Sequence, residues 1–371
     1  MGKHILIVGG AGFIGSHLTD ELLQHGYRVR ILDALGLQGH PGGGPPGYVN
    51  RDAELHTGDV RDENAVAKAL QDIDAVVHLA AAVGIGQSMY EISRYTSVNN
   101  LGTAVLLDQL VRNPVEKLVV ASSMSVYGEG TYVDIEGHVR RATPRTAFQL
   151  QRGNWEIEGE DGFPLKPVPT TERKPAEPGS VYALSKYDQE RLCLMVGQAY
   201  QIPTVALRLF NVYGPRQALS NPYTGVMAVF ASRYLNQLPP QLIEDGLQRR
   251  DFVHVRDVAR ALRLAIESPR AAGEVINAGS GRGVTLREVA HEMATALGCE
   301  HIAPEITNQH RVGDIRHCFA DIRKARRLLG YMPQVSFEEG IAELAGWLEG
   351  QIAVNRSDQP RHERLQKDIL V

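Results

Sequence analysis

The chain has 371 residues, 43% of them hydrophobic and 22% charged, and 39 Lys+Arg against 43 Asp+Glu leave a net charge of −4. So much apolar content with so little net charge excludes global disorder. The weak acidic balance excludes a general nucleic-acid binder, which would carry a basic excess.

Cys193, Cys299 and Cys318 lie far apart and form no C-x-x-C, so they read as reduced thiols and not as a disulfide framework. No run approaches the ~18 apolar residues of a membrane helix. The N-terminal stretch lacks the charged head, long apolar core and small-residue cleavage site of a signal peptide, so a cytoplasmic, membrane-free protein is expected.

In chain order, Ile5–Val8 is a short continuous apolar run, the signature of a strand buried on both faces. A Gly-rich turn and a helical stretch from about Phe13 to His25 follow, closed by Gly26. Arg28–Leu32 reads as a second strand ending at Asp33. Gly36–Gly47 is a Gly/Pro loop without periodicity, expected to be exposed and mobile. Ala75–Leu79 and Leu118–Ala121 repeat the buried-strand signal, with a helix over Val98–Arg112 between them. Residues from about Glu129 to Gly179 are polar, Pro-punctuated and weakly periodic, an inserted subdomain or long lid. With His138 alone and no Cys, that stretch is not expected to form a self-contained metal site, and no metal is expected elsewhere.

A helix over about Ser180–Gln201 and a strand over Thr204–Leu209 resume the alternation. From about Pro215 the pattern is mixed, with helices at about Gly225–Gln237, Arg256–Glu267, Leu286–Leu297 and Phe337–Glu349. Alternating strands and helices predict an α/β fold with a doubly wound, Rossmann-type parallel sheet over residues 1–214. The insert at about 129–179 interrupts it. A smaller C-terminal α/β lobe is expected over 215–350, with segments free to cross between lobes, and a tail over 351–371.

The turn after the first strand reads Gly9-Gly10-Ala11-Gly12-Phe13-Ile14-Gly15. Glycines at this spacing permit the tight turn, let backbone approach a pyrophosphate and allow close helix–strand packing. The helix N-terminus adds N–H donors and a positive dipole end. Asp33 falls 18 residues beyond Gly15, where a carboxylate accepts from both ribose hydroxyls and repels a 2′-phosphate. No Arg or Lys lies between Asp33 and Asn50, so NAD is expected over NADP. Asp59-Val60 is placed to meet an adenine amino group, although an ordinary loop Asp fits as well. The small residues of Leu79-Ala80-Ala81 let a cofactor lie against backbone, or simply pack tightly.

Tyr182 and Lys186 are spaced i, i+4 at a predicted helix start, on one face. A nearby ammonium lowers a phenol pKa from about 10 toward neutrality, and such a phenolate can take a proton from a sugar hydroxyl. Alone, Y-x-x-x-K also fits an amphipathic helix with a surface Lys. Ser122-Ser123-Met124-Ser125 ends a predicted strand, where hydroxyls face the ligand crevice of an open α/β sheet or satisfy a local turn.

These residues resemble the extended short-chain dehydrogenase/reductases of the nucleotide-sugar epimerase and dehydratase group, from Gly9 to about Trp347. The matching stretches are GGAGFIG, HLAA, Asn99 in VNNLGT, ASSMSVYG, Tyr182-x-x-x-Lys186, LRLFNVYGPRQ, RRDFVHVRDVA, NAGSG and RVGDIRHCFADIRKARRLLGY. Motif and resemblance together assign NAD to Gly9, Gly12, Phe13, Ile14, Gly15, Asp33, Asp59, Val60, Leu79, Ala80, Ala81, Asn99, Ser122, Tyr182 and Lys186. The resemblance makes Tyr182 the proton-transfer group, Lys186 the residue that holds Tyr and ribose, and Ser123 the one that polarises the sugar hydroxyl. It places Ser123, Met124, Asn211, Arg250, Arg311, Asp314 and Cys318 against a UDP- or dTDP-sugar. A planar Arg fork suits a diphosphate, whereas Cys318 fits a buried structural role almost as well.

Family dehydratases carry Asp-Glu where this chain has Met124 and Ser125, so C4 epimerisation through a 4-keto sugar is expected. The alternatives are another oxidoreductase or dehydratase of the group, or a non-catalytic NAD-binding regulator. Ser123 and Tyr182 lie 59 positions apart, far more than is usual for the family. The dTDP-L-rhamnose 4-epimerase type is similar in carrying an extended insert with an R…QL…G.WE pattern, here Arg145, Gln149, Leu150, Gly153, Trp155 and Glu156. Such an insert closes over the sugar, packs on a second subunit, or merely decorates the surface. The resemblance also implies a homodimer through the helices carrying Asn99 and Tyr182.

Overall fold

The computed structural model describes residues 2–36, 44–217, 225–310 and 314–355, with side chains to residue 349. Most of the Gly36–Gly47 loop lies outside the described residues, as does the tail from 356. Seven parallel strands form the main sheet: β1 His4–Val8, β2 Arg28–Asp33, β3 Glu54–Thr57, β4 Ala75–His78, β5 Lys117–Ser123, β6 Thr204–Leu209 and β7 Val275–Ala278. Their spatial order is β7-β6-β5-β4-β1-β2-β3. The winding reverses between β1 and β4, so their C-terminal ends flank the crevice where open α/β sheets take ligands.

The apolar runs are continuous because both faces of the sheet are covered. In β1, Ile5 and Ile7 join one core with Leu18, Leu22, Val258 and Leu262 from helices Phe13–Gln24 and Val255–Glu267. Leu6 and Val8 join the opposite core with Val66, Leu106, Leu110 and Cys193. The helix expected over Val98–Arg112 is a π-helical turn, Thr96–Leu101, running into an α-helix, Gly102–Arg112.

The lobe packs helices Val226–Leu235, Leu286–Ala296 and Phe337–Asn355 around Phe230, Tyr234, Met293 and Leu344. Residues 215–350 are not one continuous lobe. Helix Val255–Glu267 packs on the first helix, and β7 hydrogen-bonds to β6. Both return to the main sheet because their apolar sides are buried there.

The insert is a folded subdomain. Thr131–Val133 pairs with Val139–Arg140 and with Lys166–Val168 in a small antiparallel sheet, over a core of Tyr132, Ile157 and Leu165. Its strands are two or three residues long, too short for periodicity to register. All three cysteines are free and buried. Among the described residues no helix is long and apolar enough to cross a membrane.

Candidate functional site

A cleft of about 1100 Å³ runs along the C-terminal ends of the sheet, from the Gly-rich turn past Ser123 and Tyr182 to Asn211 and Met227. That exceeds the roughly 300–1,000 Å³ of a drug-sized site and suits more than one ligand. At one end, Gly9 holds φ +89°, and a Cβ there would sit 2.7 Å from the Ala80 nitrogen. At Gly15 a Cβ would meet the Gly9 carbonyl oxygen at 2.4 Å, so helix and turn touch. Gly12 differs. A Cβ there would meet protein only at 3.4 Å, so what it would fill is the cleft. Helix Phe13–Gln24 begins at Gly12 with no side-chain cap and no acidic residue in its first turn. Its free N–H groups and positive end face an anion's position.

Asp33 accepts from the backbone nitrogens of Ala11, at 3.0 Å, and Leu35, at 2.9 Å, which fixes its carboxylate beside the turn. Phe13, Ile14, Val60, Leu79, Ala80 and Ala81 line the same end. Asp59 lines it too, but its carboxylate is paired with Arg61 at 2.6 Å. That hydrogen bond holds its pKa below the usual carboxylate range. A diphosphate cradle beside a fixed ribose carboxylate, with room at Gly12, fits a dinucleotide.

Asn99 does not reach the cleft. It is fully buried, accepts from Ala82 N at 2.7 Å and donates to Ser185 Oγ at 2.8 Å. It ties Ala82 to the helix Val181–Ala199.

Ser180 caps that helix by accepting from Ala183 N. Tyr182 sits in its first turn, its ring edge-on to the buried Tyr95 at 6.4 Å. Ser123, at the end of β5, stands beside the Tyr182 hydroxyl in the cleft. Met124 and Ser125 complete the strand end, with Ser125 Oγ donating to Ser123 Oγ at 2.8 Å. Burial raises the Tyr182 phenol above its ordinary value, and the Ser123 hydroxyl pulls against that rise.

The expected lowering by Lys186 is not what this structure shows. Lys186 is 3% exposed, and Nζ donates to Gln189 Oε1 at 2.6 Å, while burial pulls its pKa down to about 8. Gln189, fully buried, donates in turn to Thr103 Oγ1 at 2.8 Å and the Ala80 carbonyl at 3.3 Å. The sequence reading missed Gln189, although its i+3 spacing from Lys186 was there to see. Glu190, next along, was also missed. It takes the Ser122 hydroxyl at 2.7 Å and two bonds from Arg208, at 2.9 and 2.7 Å.

At the far end, Asn211 lines the cleft, and its side chain donates to the Asp251 carbonyl at 3.0 Å. Arg250 and Asp314 are not among the residues lining that cavity. Arg250 donates to the carbonyls of Ile315 and Arg316 and lies 3.6 Å from Asp314 Oδ1. Arg311 lies outside the described residues. Cys318 does not line the cleft either. It is 1% exposed in the core, its Sγ faces Thr170 at 3.9 Å, and burial pushes the thiol up to about 12.

No insert residue lines the cleft, so the insert is not a lid in this conformation. Neither is it surface decoration. Arg145 and Glu156 grip residues of the lobe. Within it, Asp134, Glu136 and His138 approach one another at an exposed turn. Asp134 is there engaged by Arg140 at 2.7 Å.

The profile of the NAD-dependent epimerase/dehydratase family matches residues 5–152 and 159–279. A dTDP-L-rhamnose 4-epimerase of Burkholderia thailandensis is 35% identical over 95% of this chain and 96% of its own. The crystal structure of a UDP-glucose 4-epimerase from Thermotoga maritima with UDP-glucose superposes at a TM-score of 0.78, with 30% identity over 94% of this chain and 99% of that one. A UDP-glucose 4-epimerase from Thermus thermophilus in complex with NAD gives 0.74 and 33%, with the same coverage. Relatives at 29% identity also include a dTDP-glucose 4,6-dehydratase and a sugar-nucleotide decarboxylase.

Proposed function

The chain belongs to the NAD-dependent epimerase/dehydratase family, and within it we propose an enzyme that inverts C4 of a UDP- or dTDP-sugar. The observation that carries this reading is the absence of an acid at the reacting end. Among the described residues lining the cleft, the only carboxylates are Asp33 and Asp59, both at the Gly-rich end. Glu190 sits behind Ser122 with its charge spent on Arg208. Eliminating water across C5–C6 calls for an acid and a base at the sugar, and Met124 and Ser125 supply no carboxyl group for either.

Inversion asks less of the chain. NAD supplies a place for the C4 hydride to go and to return from. Tyr182 takes the O4 proton and later gives it back. Ser123, beside the Tyr182 hydroxyl, hydrogen-bonds the sugar O4 and orients it. Lys186 contributes positive charge near the phenol once the site is filled. Asn211, Arg250 and Arg311 hold the nucleotide diphosphate and Asp314 faces the nucleoside, which leaves the keto sugar free to turn over. A panel of UDP-, dTDP-, GDP- and ADP-sugars, incubated without added NAD and read by NMR, tests the reading. A C4 epimer without net NADH is expected, and a 6-deoxy-4-keto product or stoichiometric NADH would refute it.

The pH profile carries a second expectation. Lys186 is charged below about pH 8 and loses its proton above it, so turnover falls on the alkaline side. A Gln189→Leu change removes the acceptor that favours the ammonium. The alkaline limb moves down by about one unit, the size of one hydrogen bond to a charged group. An unmoved limb would show that Gln189 does not act on Lys186.

We also infer a homodimer. Leu101 at 53%, Leu184 at 49% and Met195 at 51% exposure leave an apolar face on the adjoining π-turn and helix Val181–Ala199. Patches of this kind mark contact surfaces, and light scattering reads the assembly directly.

A further inference from the structure

The insert grips one short segment of the lobe from one side, and Arg250 grips it from the other. On the insert side, Arg145 Nη2 donates to the Asp314 carbonyl at 3.0 Å. Glu129 takes the backbone nitrogens of Arg316, at 2.6 Å, and His317, at 3.2 Å. Glu156 pairs with the Arg316 guanidinium at 2.6 Å and the His317 ring at 3.0 Å. Arg145 and Arg316 also converge on Glu244, at 2.7 and 2.8 Å, in a knot where Arg316 and Glu244 are fully buried. On the other side, residues 249–250 pair in parallel with 317–318, and Arg250 donates to the Ile315 and Arg316 carbonyls. The direction of the Arg250 guanidinium is therefore set by carbonyls whose own places are set by the insert.

We propose that Arg145 and Glu156 are positioning residues for the nucleotide-diphosphate end of the site, acting through residues 314–317 on Arg250. The insert then serves neither as a lid nor as decoration but as a clamp that fixes substrate affinity from outside the cleft. This rests on the reading of Arg250 as a diphosphate ligand. Buried, fully paired charges suit such a task, since each charged partner that moves leaves another unsatisfied. Substrate is then held by a segment with one geometry and not by a loose surface strand.

The test titrates UDP and dTDP, without sugar and without turnover, into NAD-loaded protein by calorimetry. Arg250→Ala weakens binding. Arg145→Ala weakens it on the order of tenfold, the coupling expected of a residue in the network but out of contact, while bound NAD is unchanged. Arg145→Lys restores part of the loss. The double variant binds no worse than Arg250→Ala alone, because Arg145 acts only through Arg250. Glu156→Gln, nearly the same shape, carries the same comparison should Arg145→Ala fold poorly. If Arg250→Ala weakens binding but Arg145→Ala and Glu156→Gln leave it within twofold, the clamp is wrong and the site reading stands. Multiplicative losses in the double variant overturn the clamp as well. No effect of Arg250→Ala overturns both.

Discussion

Changing Tyr182 to Phe lowers turnover by about 10²–10⁴-fold, the contribution of a positioned acid–base group, and leaves NAD bound. The two effects separate because the hydroxyl does the chemistry and the ring does the packing. Phe keeps the edge-on contact with Tyr95 at 6.4 Å. It also leaves the Gly9–Gly15 turn and Asp33 untouched, so the cofactor end is unaltered. What is lost is the phenol oxygen beside Ser123 at the reacting end of the cleft. Single-turnover rates with the NDP-sugar, together with the NAD content of the purified protein, measure both halves. Turnover within threefold of the parent would remove Tyr182 from the mechanism.

The second large effect is on stability. Glu190→Ala destabilises the folded protein by about 3–5 kcal/mol, the cost of breaking a buried ion pair from one side. Arg208 is 5% exposed and makes two bonds to Glu190, with its guanidinium 4.6 Å above the Tyr127 ring. With Glu190 gone, the guanidinium keeps its burial and loses its counter-charge. Replacing both, as Glu190→Leu with Arg208→Met, recovers most of the loss because no charge is left stranded. Urea unfolding of the parent, Glu190→Leu, Arg208→Met and the double variant gives the coupling. A single-variant cost below about 1 kcal/mol, the worth of an exposed pair, would mean that this bridge does not hold helix Val181–Ala199 to β5 and β6. Ser122, which donates to Glu190, makes the same bridge a support for the strand end that carries Ser123.

Much of the scaffold was legible in the residues, for a reason particular to its class. Strands covered on both faces read as unbroken apolar runs, and β1, β4, β5 and β6 announce themselves that way. β7 did not, because Val275–Ala278 ends in Asn and Ala and was read as part of the lobe. The Gly-rich turn was legible because its constraint is local. Gly9 and Gly15 answer to atoms a few residues away or on the adjoining strand end.

Partnerships between distant residues were not legible. Asn99 was taken for a cofactor contact, yet it holds Ala82 and Ser185. Cys318 was placed at the sugar and lies in the core. Lys186 was paired with Tyr182 on helical spacing and on the family resemblance. Spacing fixes which face a side chain leaves from but not which acceptor it finds, and Gln189 is nearer the ammonium.

By itself the sequence determined the α/β class, the cofactor turn and the lack of an acid beside Ser123, since each is a matter of residue type at local spacing. Only the tertiary structure decided what the insert touches. Within the insert Arg145 reaches only as far as the Trp155 carbonyl, at 3.2 Å, and Gln149 the Glu156 carbonyl, at 2.6 Å, neither of which engages the Glu156 carboxylate. The partners, Glu244, Asp314 and Arg316, lie far along the chain, and only folding brings these charges into one buried knot.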